Sequence, residues 1–295
     1  MREYKMSKAS TCGLLGVSRQ VYYRSLRSKQ IKEEKANQVI NLVNNVRRDM
    51  PRLGFRKLYH ILNEPLKDMH IGRDKLLSIL KSNHMLIKPK RNYRITTDSH
   101  HRFRKHKNLI VDMPLTHPEQ VWVSDITYIG GRERNCYLAL ITDAYSKKIM
   151  GYDISNCLTT EGSLRALTMA NRQRRYKHKI IHHSDRGLQY CSNDYQKSLK
   201  KKKIVPSMTE SYDPYANAIA ERVNGILKQE FLLEDYQVDI ETMKLIVADA
   251  VRIYNTKRPH WSCYMKTPEM MHAQNEVKIK TYKRPNSSKA SLATV

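Results

Sequence analysis

Three acidic residues in unlike settings are the side chains of this sequence best placed for chemistry: Asp125 in VWVSDITYI, Asp185 in IIHHSDRGLQY and Glu221 in NAIAERVNGILKQEF. Positions 186–220, 35 residues, separate the second from the third. Three carboxylates from separate segments suit phosphodiester cleavage and joining. That chemistry needs hard oxygen ligands around two divalent cations roughly 3.5–4 Å apart, each touching the scissile phosphate and one of the two in-line oxygens.

The surroundings of each acid sharpen this reading and also supply a plainer one. Asp125 interrupts a run of apolar and β-branched residues (Val121, Trp122, Val123, Ile126, Thr127, Tyr128, Ile129) that predicts a central strand closed by Gly130-Gly131. An ionised carboxylate there is costly unless a cation, a donor or a metal meets it. The plainer reading is an Asp at a wet strand edge bonded to Ser124 or Thr127. Asp185 ends a short strand, Ile180 to Ser184, and precedes the turn-forming Arg186-Gly187. Strand ends of a largely parallel sheet gather ligand groups, although an Asp there also caps turns. Glu221 lies on a helix whose apolar stripe is Ile219, Val223, Ile226 and Leu227, with Lys228 two turns further along. Alone, it reads as a solvated surface Glu.

Taken jointly, the words resemble a known family. Trp122-Val123-Ser124-Asp125-Ile126-Thr127-Tyr128, His183-Ser184-Asp185-Arg186-Gly187 with Gln189-Tyr190, Asn217-Ala218 before Glu221, Tyr254-Asn255, Arg258-Pro259-His260 and Thr267-Pro268 occur in the order found in DDE transposases and retroviral-type integrases. The stretch from about Gln120 to Pro268 is most similar to the downstream-frame transposases of insertion sequence family three. Ser124 stands where Thr is common, and Thr209 to Tyr215 departs from the glycine-containing loop often found before Asn-Ala. Neither departure removes an expected metal ligand. The resemblance implies a ribonuclease H-like (integrase catalytic core) α/β mixed sheet with flanking helices, preceded by small helix-turn-helix-like domains. It implies catalysis and metal binding by Asp125, Asp185 and Glu221, two Mg²⁺ ions with Mn²⁺ able to substitute, and Lys228 near the DNA. It also implies a homo-oligomer on DNA, with an upstream-frame partner or frameshift fusion.

Composition agrees with a nucleic-acid partner. The 295 residues carry 54 Lys and Arg against 28 Asp and Glu, a net charge of +26, and a field of that sign attracts polyanions. No apolar run is long enough to span a membrane, and the basic N-terminus lacks the apolar core of a signal peptide. A cytoplasmic, nucleoid-associated bacterial protein is expected. Five scattered cysteines without a C-x-x-C pair argue against a disulfide framework, and His100, His101 and His106 lack the nearby cysteines of a zinc module.

Five regions are expected. Residues 1–48 hold two short helical patterns around the small-residue turn near Gly13 to Gly16, with Ser18 as N-cap of the second, then a charged helix from Lys29 to about Arg48. Residues 49–88 carry a helix-turn-helix-like pair, striped by Phe55, Leu58, Tyr59 and Leu62, then Leu76, Leu77, Ile79 and Leu80. Both regions also read as plain helical bundles. Residues 89–117 form a basic linker in which Arg91, Arg94, Arg102, Arg104 and Lys105, interleaved with Tyr93 and Phe103, are candidate DNA contacts. Arg186 and Arg258 are further candidates. Residues 118–274 form the catalytic domain: strands 121–130, 136–143, 147–154, 180–183 and 204–207, and helices near 160–173, 192–202, 216–230 and 240–255. Within it, Lys200 to Lys203 reads as a solvated helix end. A basic tail, 275–295, lacks periodicity and is expected to be disordered when free.

The reaction expected is cleavage at element ends followed by transfer of the 3′-OH strand to target DNA. Two rivals stand beside it. A ribonuclease H-like nuclease would share the metal site without joining DNA, and a non-catalytic DNA-binding regulator of transposition would not depend on the three acids.

Overall fold

The computed structural model describes residues 7–88, 105–111, 113–131, 136–210 and 217–274. Ser7 caps α1 (Lys8–Leu14) by accepting from the Ser10 amide at 3.2 Å, and Ser18 accepts from the Val21 amide at 3.2 Å to open α2 (Arg19–Asp49). Both caps satisfy amides that the first helical turn leaves unpaired. The second short helix and the charged helix expected after it are one continuous helix of 31 residues, since no Gly or Pro interrupts the sequence between Arg19 and Asp49. Three shorter helices follow: α3 (Phe55–Ile61), α4 (Asn63–Asp68) and α5 (Arg73–Ser82). Leu58, Leu62, Leu66, Leu76 and Leu80 are buried, as are Val39 and Val43 of α2. Arg47 donates to the carbonyls of Met85 at 2.8 Å and Leu53 at 3.3 Å. Residues 7–49 and 53–88 therefore make one compact unit, rather than the two separated at residue 48 that sequence patterning suggests.

The larger unit is built on a five-stranded mixed sheet in the order β3-β2-β1-β4-β5. β1 (Val121–Ile129), β2 (Cys136–Asp143) and β3 (Ile149–Ser155) form an antiparallel meander, while β4 (Ile181–Ser184) and β5 (Val205–Met208) add parallel to β1. This is the ribonuclease H-like arrangement expected. Its helices are α6 (Thr160–Arg172), α7 (Leu188–Cys191), α8 (Asn193–Lys201), α9 (Ala218–Glu230), α10 (Ile240–Thr256) and α11 (Pro268–His272).

Alternation along β1 sorts the two faces of the sheet. Trp122, fully buried, joins Ala139, Ile141, Ala166, Leu167, Tyr195 and Leu199 in the core that α6 and α8 cover. Gly151 lets α6 approach β3, for a Cβ there would lie 2.1 Å from the Ala166 carbonyl oxygen. On the opposite face Val121 and Val123 pack with Ala220 of α9 and with Ile110, Met113, Leu115 and Ile181. Asp125 and Thr127 continue this second row by parity. The segment from Lys105 does not behave as a tether: the Leu109 amide donates to Ser207 Oγ at 2.9 Å and the Met208 amide to the Lys107 carbonyl at 3.4 Å. The apolar side chains of Ile110, Met113 and Leu115 hold it to the sheet. Arg91, Arg94, Arg102 and Arg104 lie outside the described residues, as does the tail 275–295.

Candidate active site

Asp125 is the middle residue of β1, one residue beyond the last rung paired with β4, Ser124 with Ser184. Asp185 follows that same rung directly, so the parallel ladder brings the two carboxylates to one end of the sheet. Helix α9 crosses the face that carries Asp125, and Glu221 lies in its first turn. The proximity of the three is written in their titration. The Asp125 carboxyl is pushed up to about 7, first by burial and then by the charge of Asp185, with a smaller push from Glu221. Glu221, itself exposed, is raised by desolvation and by Asp185. Like charges held together resist ionising, which is how an uncompensated cation site behaves.

One helix face sets the geometry. Asn217, Glu221, Asn224 and Lys228 recur at i, i+4, i+7 and i+11, a polar stripe along the side of α9. The Asn217 amide nitrogen donates to the Ser124 carbonyl at 2.9 Å, that of Asn224 donates to Asp125 Oδ2 at 2.7 Å, and the Lys228 ammonium donates to Thr127 Oγ1 at 3.4 Å. The helix is thus tied to β1 at three successive points around Asp125. Sequence reading finds Glu221 and Lys228 and names Asn217 as part of a family word, but misses Asn224. The signal for Asn224 is the same spacing, which sets it on the face of Asn217, Glu221 and Lys228, and a buried amide there needs a partner.

Asp185 Oδ1 accepts from the Gly187 amide at 3.0 Å, so the turn-capping role and the site role belong to one side chain. A Cβ on Gly187 would lie 3.0 Å from that oxygen, so the absence of a side chain there leaves the carboxylate its room. Below the site the support is neutral. His182 Nε2 meets Ser124 Oγ at 2.7 Å and the Tyr195 hydroxyl at 2.9 Å, and burial, with His183 beside it, pushes the imidazole down to about 3. His183 is fully buried with Nδ1 2.9 Å from Ser207 Oγ, placing it in the sheet's packing. The Tyr190 hydroxyl is raised well above its ordinary value by burial, with Tyr195, Asp185 and Asp125 adding to it. The Cys191 thiol is pushed up to about 11 by burial and Asp185, while Lys105 and Arg186 pull the other way. Those two cations therefore lie within electrostatic reach of the Asp185 side of the site.

Arg258 does not share this surface. Its side chain is 2% exposed and forks onto Glu230, Nε to Oε2 and Nη2 to Oε1 both at 2.8 Å, with Nη1 2.8 Å from His260 Nε2. The expected DNA contact is corrected to a buried brace between the end of α9 and the turn after α10, because its donors are already engaged inside the fold. Tyr254 and Asn255 are packing residues likewise: the Tyr254 hydroxyl donates to the Lys147 carbonyl at 2.9 Å, and Asn255 bonds both backbone groups of Ile149.

Carboxylate oxygens are the right donors for Mg²⁺ or Mn²⁺, and the raising of both Asp125 and Glu221 fits a site that gains by taking up positive charge. Among the described residues, no group of three or more His, Cys, Asp or Glu side chains is arranged to hold a metal ion. Glu221 is exposed at the start of α9.

An integrase core domain model matches residues 116–214, and a second integrase core domain model matches residues 202–268. An uncharacterized 31 kDa protein of insertion element IS600 from Shigella sonnei is 33% identical over 253 residues, spanning 84% of this chain and 92% of that protein. Transposase InsF for insertion sequence IS3fB from Escherichia coli (strain K12) is 35% identical over 159 residues, 54% of this chain and 55% of that protein. Among solved structures, a chain of the simian T-cell lymphotropic virus intasome in complex with PP2A regulatory subunit B56 gamma superposes with a TM-score of 0.48 at 19% identity, covering 80% of this chain and 81% of that one. The HTLV-2 integrase catalytic core domain in complex with magnesium gives 0.43 at 18% identity, covering 53% and 97%. The sheet order, the acids gathered at the end of the β1 and β4 ladder, and the sequence kinship over most of the chain agree, and the protein belongs to the DDE transposases of the IS3 insertion-sequence family.

Proposed function

We propose that this transposase cuts DNA at the ends of its element and joins the freed 3′-OH strand to target DNA, using Asp125, Asp185 and Glu221 as the ligands of two Mg²⁺ ions. The observation that carries the reading is the placement of these three carboxylates: Asp125 and Asp185 each follow the last rung of the β1 and β4 ladder, and Glu221 lies on α9, whose Asn224 holds Asp125 at 2.7 Å. When bound, the ions supply Lewis-acid activation of the attacking oxygen and charge stabilisation on the leaving oxygen, and Mn²⁺ meets the same oxygen donors. The protein's own groups do the positioning. Asn224 fixes Oδ2 of Asp125, and the Gly187 amide fixes Oδ1 of Asp185. Lys228, now on Thr127, lies on the same strand face as Asp125 and is the donor to reach phosphate oxygens next to the reacting bond.

In the first step water attacks the phosphorus at the element end, breaking the bond to the 3′ oxygen and leaving a 3′-OH and a 5′-phosphate. In the second that 3′-OH attacks a target phosphodiester in line, so one P–O bond forms as another breaks. No covalent enzyme intermediate is required. Arg186 and Lys105, near the Asp185 side, and Arg91, Arg94, Arg102 and Arg104 in the basic segment before it, hold flanking phosphates. The family setting supports a homo-oligomer on paired ends, an upstream-frame partner or fusion, and work at the bacterial nucleoid; no helix among the described residues is long and apolar enough to cross a membrane.

The test is joining of a pre-cleaved duplex with a recessed 3′-OH to a labelled target in Mg²⁺. Wild type yields joined product, and Asp185→Asn does not. A chain that only hydrolyses DNA, or only binds it, rejects the proposal.

A further inference from the structure

The pole of the sheet opposite the three acids is strongly basic. β1, β4 and β5 run parallel, so the chain enters all three at the same end, where the Ile181 amide bonds the Gln120 carbonyl at 3.1 Å and the Val205 amide bonds the Ile180 carbonyl at 2.9 Å. This pairing sets the loop before β4 beside the loop before β5. The first brings Arg175, Lys177 and Lys179, the second Lys200, Lys201 and Lys203, all exposed, and segments 172–180 and 195–204 contain no acid. The run of lysines that reads in sequence as a solvated helix end is therefore half of a larger cationic surface made by topology.

The loop presenting these charges is held in shape from within. Fully buried Glu119 accepts from the Arg175 amide at 2.7 Å and the Tyr176 amide at 3.2 Å. Arg174 turns inward, 3.8 Å from Glu119, and donates to the carbonyls of His178 at 2.7 Å and Tyr176 at 3.3 Å. The Tyr176 hydroxyl donates to the His272 carbonyl at 2.8 Å, and the His117 and His178 rings meet at 4.5 Å. Of the carboxylates at this pole, Glu119 and Asp143 are buried and hydrogen-bonded inside the fold, and the half-exposed Glu269 is paired with Lys148 at 2.8 Å, so the six exposed cations outnumber the acid left at the surface.

Resting on the proposed DNA-joining function, we propose that this pole binds the phosphate backbone of a second DNA duplex, distinct from the one whose scissile phosphate meets the acids. From Ile181 to Asp185 the strand alone spans about 13 Å, with side chains reaching outward at both ends. The acids and these cations lie at opposite ends of the parallel strands, and duplex DNA is stiff over about 150 base pairs, so a duplex lying across the acid end would have to double back within a helical turn to meet the cation end. A polyanion of regular charge spacing is the ligand that six exposed cations on a braced surface fit. One protein molecule would then bridge two duplexes.

The experiment compares the full chain with Lys177→Ser/Lys179→Ser/Lys201→Ser and with a control of equal charge change on α10 and the turn after it, Lys244→Ser/Arg252→Ser/Lys257→Ser. A bead-bound element end captures protein, and retention of a second, labelled duplex of about 30 base pairs reads bridging. A single branched DNA that carries end and target in one molecule reads catalysis with one DNA at the acids. The proposal expects the pole variant to lose bridging, and joining between separate molecules, by about 10-fold or more, with activity on the branched DNA and the circular dichroism spectrum unchanged. The Lys177→Arg/Lys179→Arg/Lys201→Arg variant should restore bridging, and the α10 control should retain it. Equal losses in the control, undiminished bridging in the pole variant, or loss of branched-DNA activity in a folded pole variant overturns the proposal. Wild type inactive on the branched DNA would instead count against the function on which it rests.

Discussion

Substituting Asp125 by Asn should make the metal-free protein more stable at pH 8, the reverse of what removing a buried hydrogen-bonded group ordinarily does. The Asp125 carboxyl is raised from 3.8 to about 7 by burial, Asp185 and Glu221. A carboxyl whose folded pKa lies above its unfolded one holds its proton in the native state where the unfolded chain has released it. Between pH of about 4 and 7 the native state thus binds more protons, and stability falls as pH rises through that window, levelling above it. At about 1.36 kcal/mol per unit the ceiling is about 4 kcal/mol, and solvent screening at this partly open site brings the expected effect to roughly 2 kcal/mol. Asn at 125 keeps an acceptor for Asn224 and carries no charge, so its unfolding midpoint at pH 8 should exceed that of wild type by about 4–8 °C. Mg²⁺ in millimolar excess should raise the wild-type midpoint at pH 8, raise it far less at pH 5 where protons occupy the site, and leave Asp125→Asn nearly unmoved. Thermal scans at the two pH values, with and without Mg²⁺, suffice. A wild type as stable at pH 8 as at pH 5 without metal, together with a variant less stable than wild type, would show that Asp125 does not face the other two acids.

Asp185→Asn and Glu221→Gln should each abolish joining of a pre-cleaved end while duplex affinity, read by fluorescence anisotropy, stays within about twofold, since neither removes a cation. Lys228→Ala should slow joining at saturating DNA by about 10-fold or more, against little change for the equally basic Lys244→Ala, because only Lys228 lies on the strand face of Asp125. Arg258→Ala should cost about 3 kcal/mol of stability, seen as a lowered denaturation midpoint, because it removes the guanidinium that forks onto part-buried Glu230. Replacing Arg91, Arg94, Arg102 and Arg104 by Gln should make the dependence of log K on log salt shallower by about 0.9 for each phosphate no longer neutralised; an unchanged slope would mean that these residues are only solvated.

What the sequence can disclose is set by how local each signal is. β1 announces itself because its residues are β-branched, aromatic or apolar around a single Asp, and α9 because Ile219, Val223, Ile226 and Leu227 repeat at helical spacing. The three acids are legible as types in context, since a carboxylate inside a strand or at its end asks for a partner wherever the chain goes. Arg258 misleads because its fate depends on Glu230, 28 residues away, and an Arg beside Pro and His looks the same in sequence whether it forks onto a buried carboxylate or faces DNA. Asn224 is silent for a related reason: an amide on a helix becomes part of the site only when the facing strand puts Asp125 2.7 Å from it. The opposite pole is the extreme case. Arg175 and Lys201 belong to segments that sequence reading assigns separately, a loop after α6 and the end of α8, and only the parallel pairing of β4 with β5 turns two modest basic runs into one surface. The same ladder that gathers the acids at its far end gathers these cations at its near end, so a change of register between β4 and its neighbours would disturb both ends of the molecule's chemistry at once.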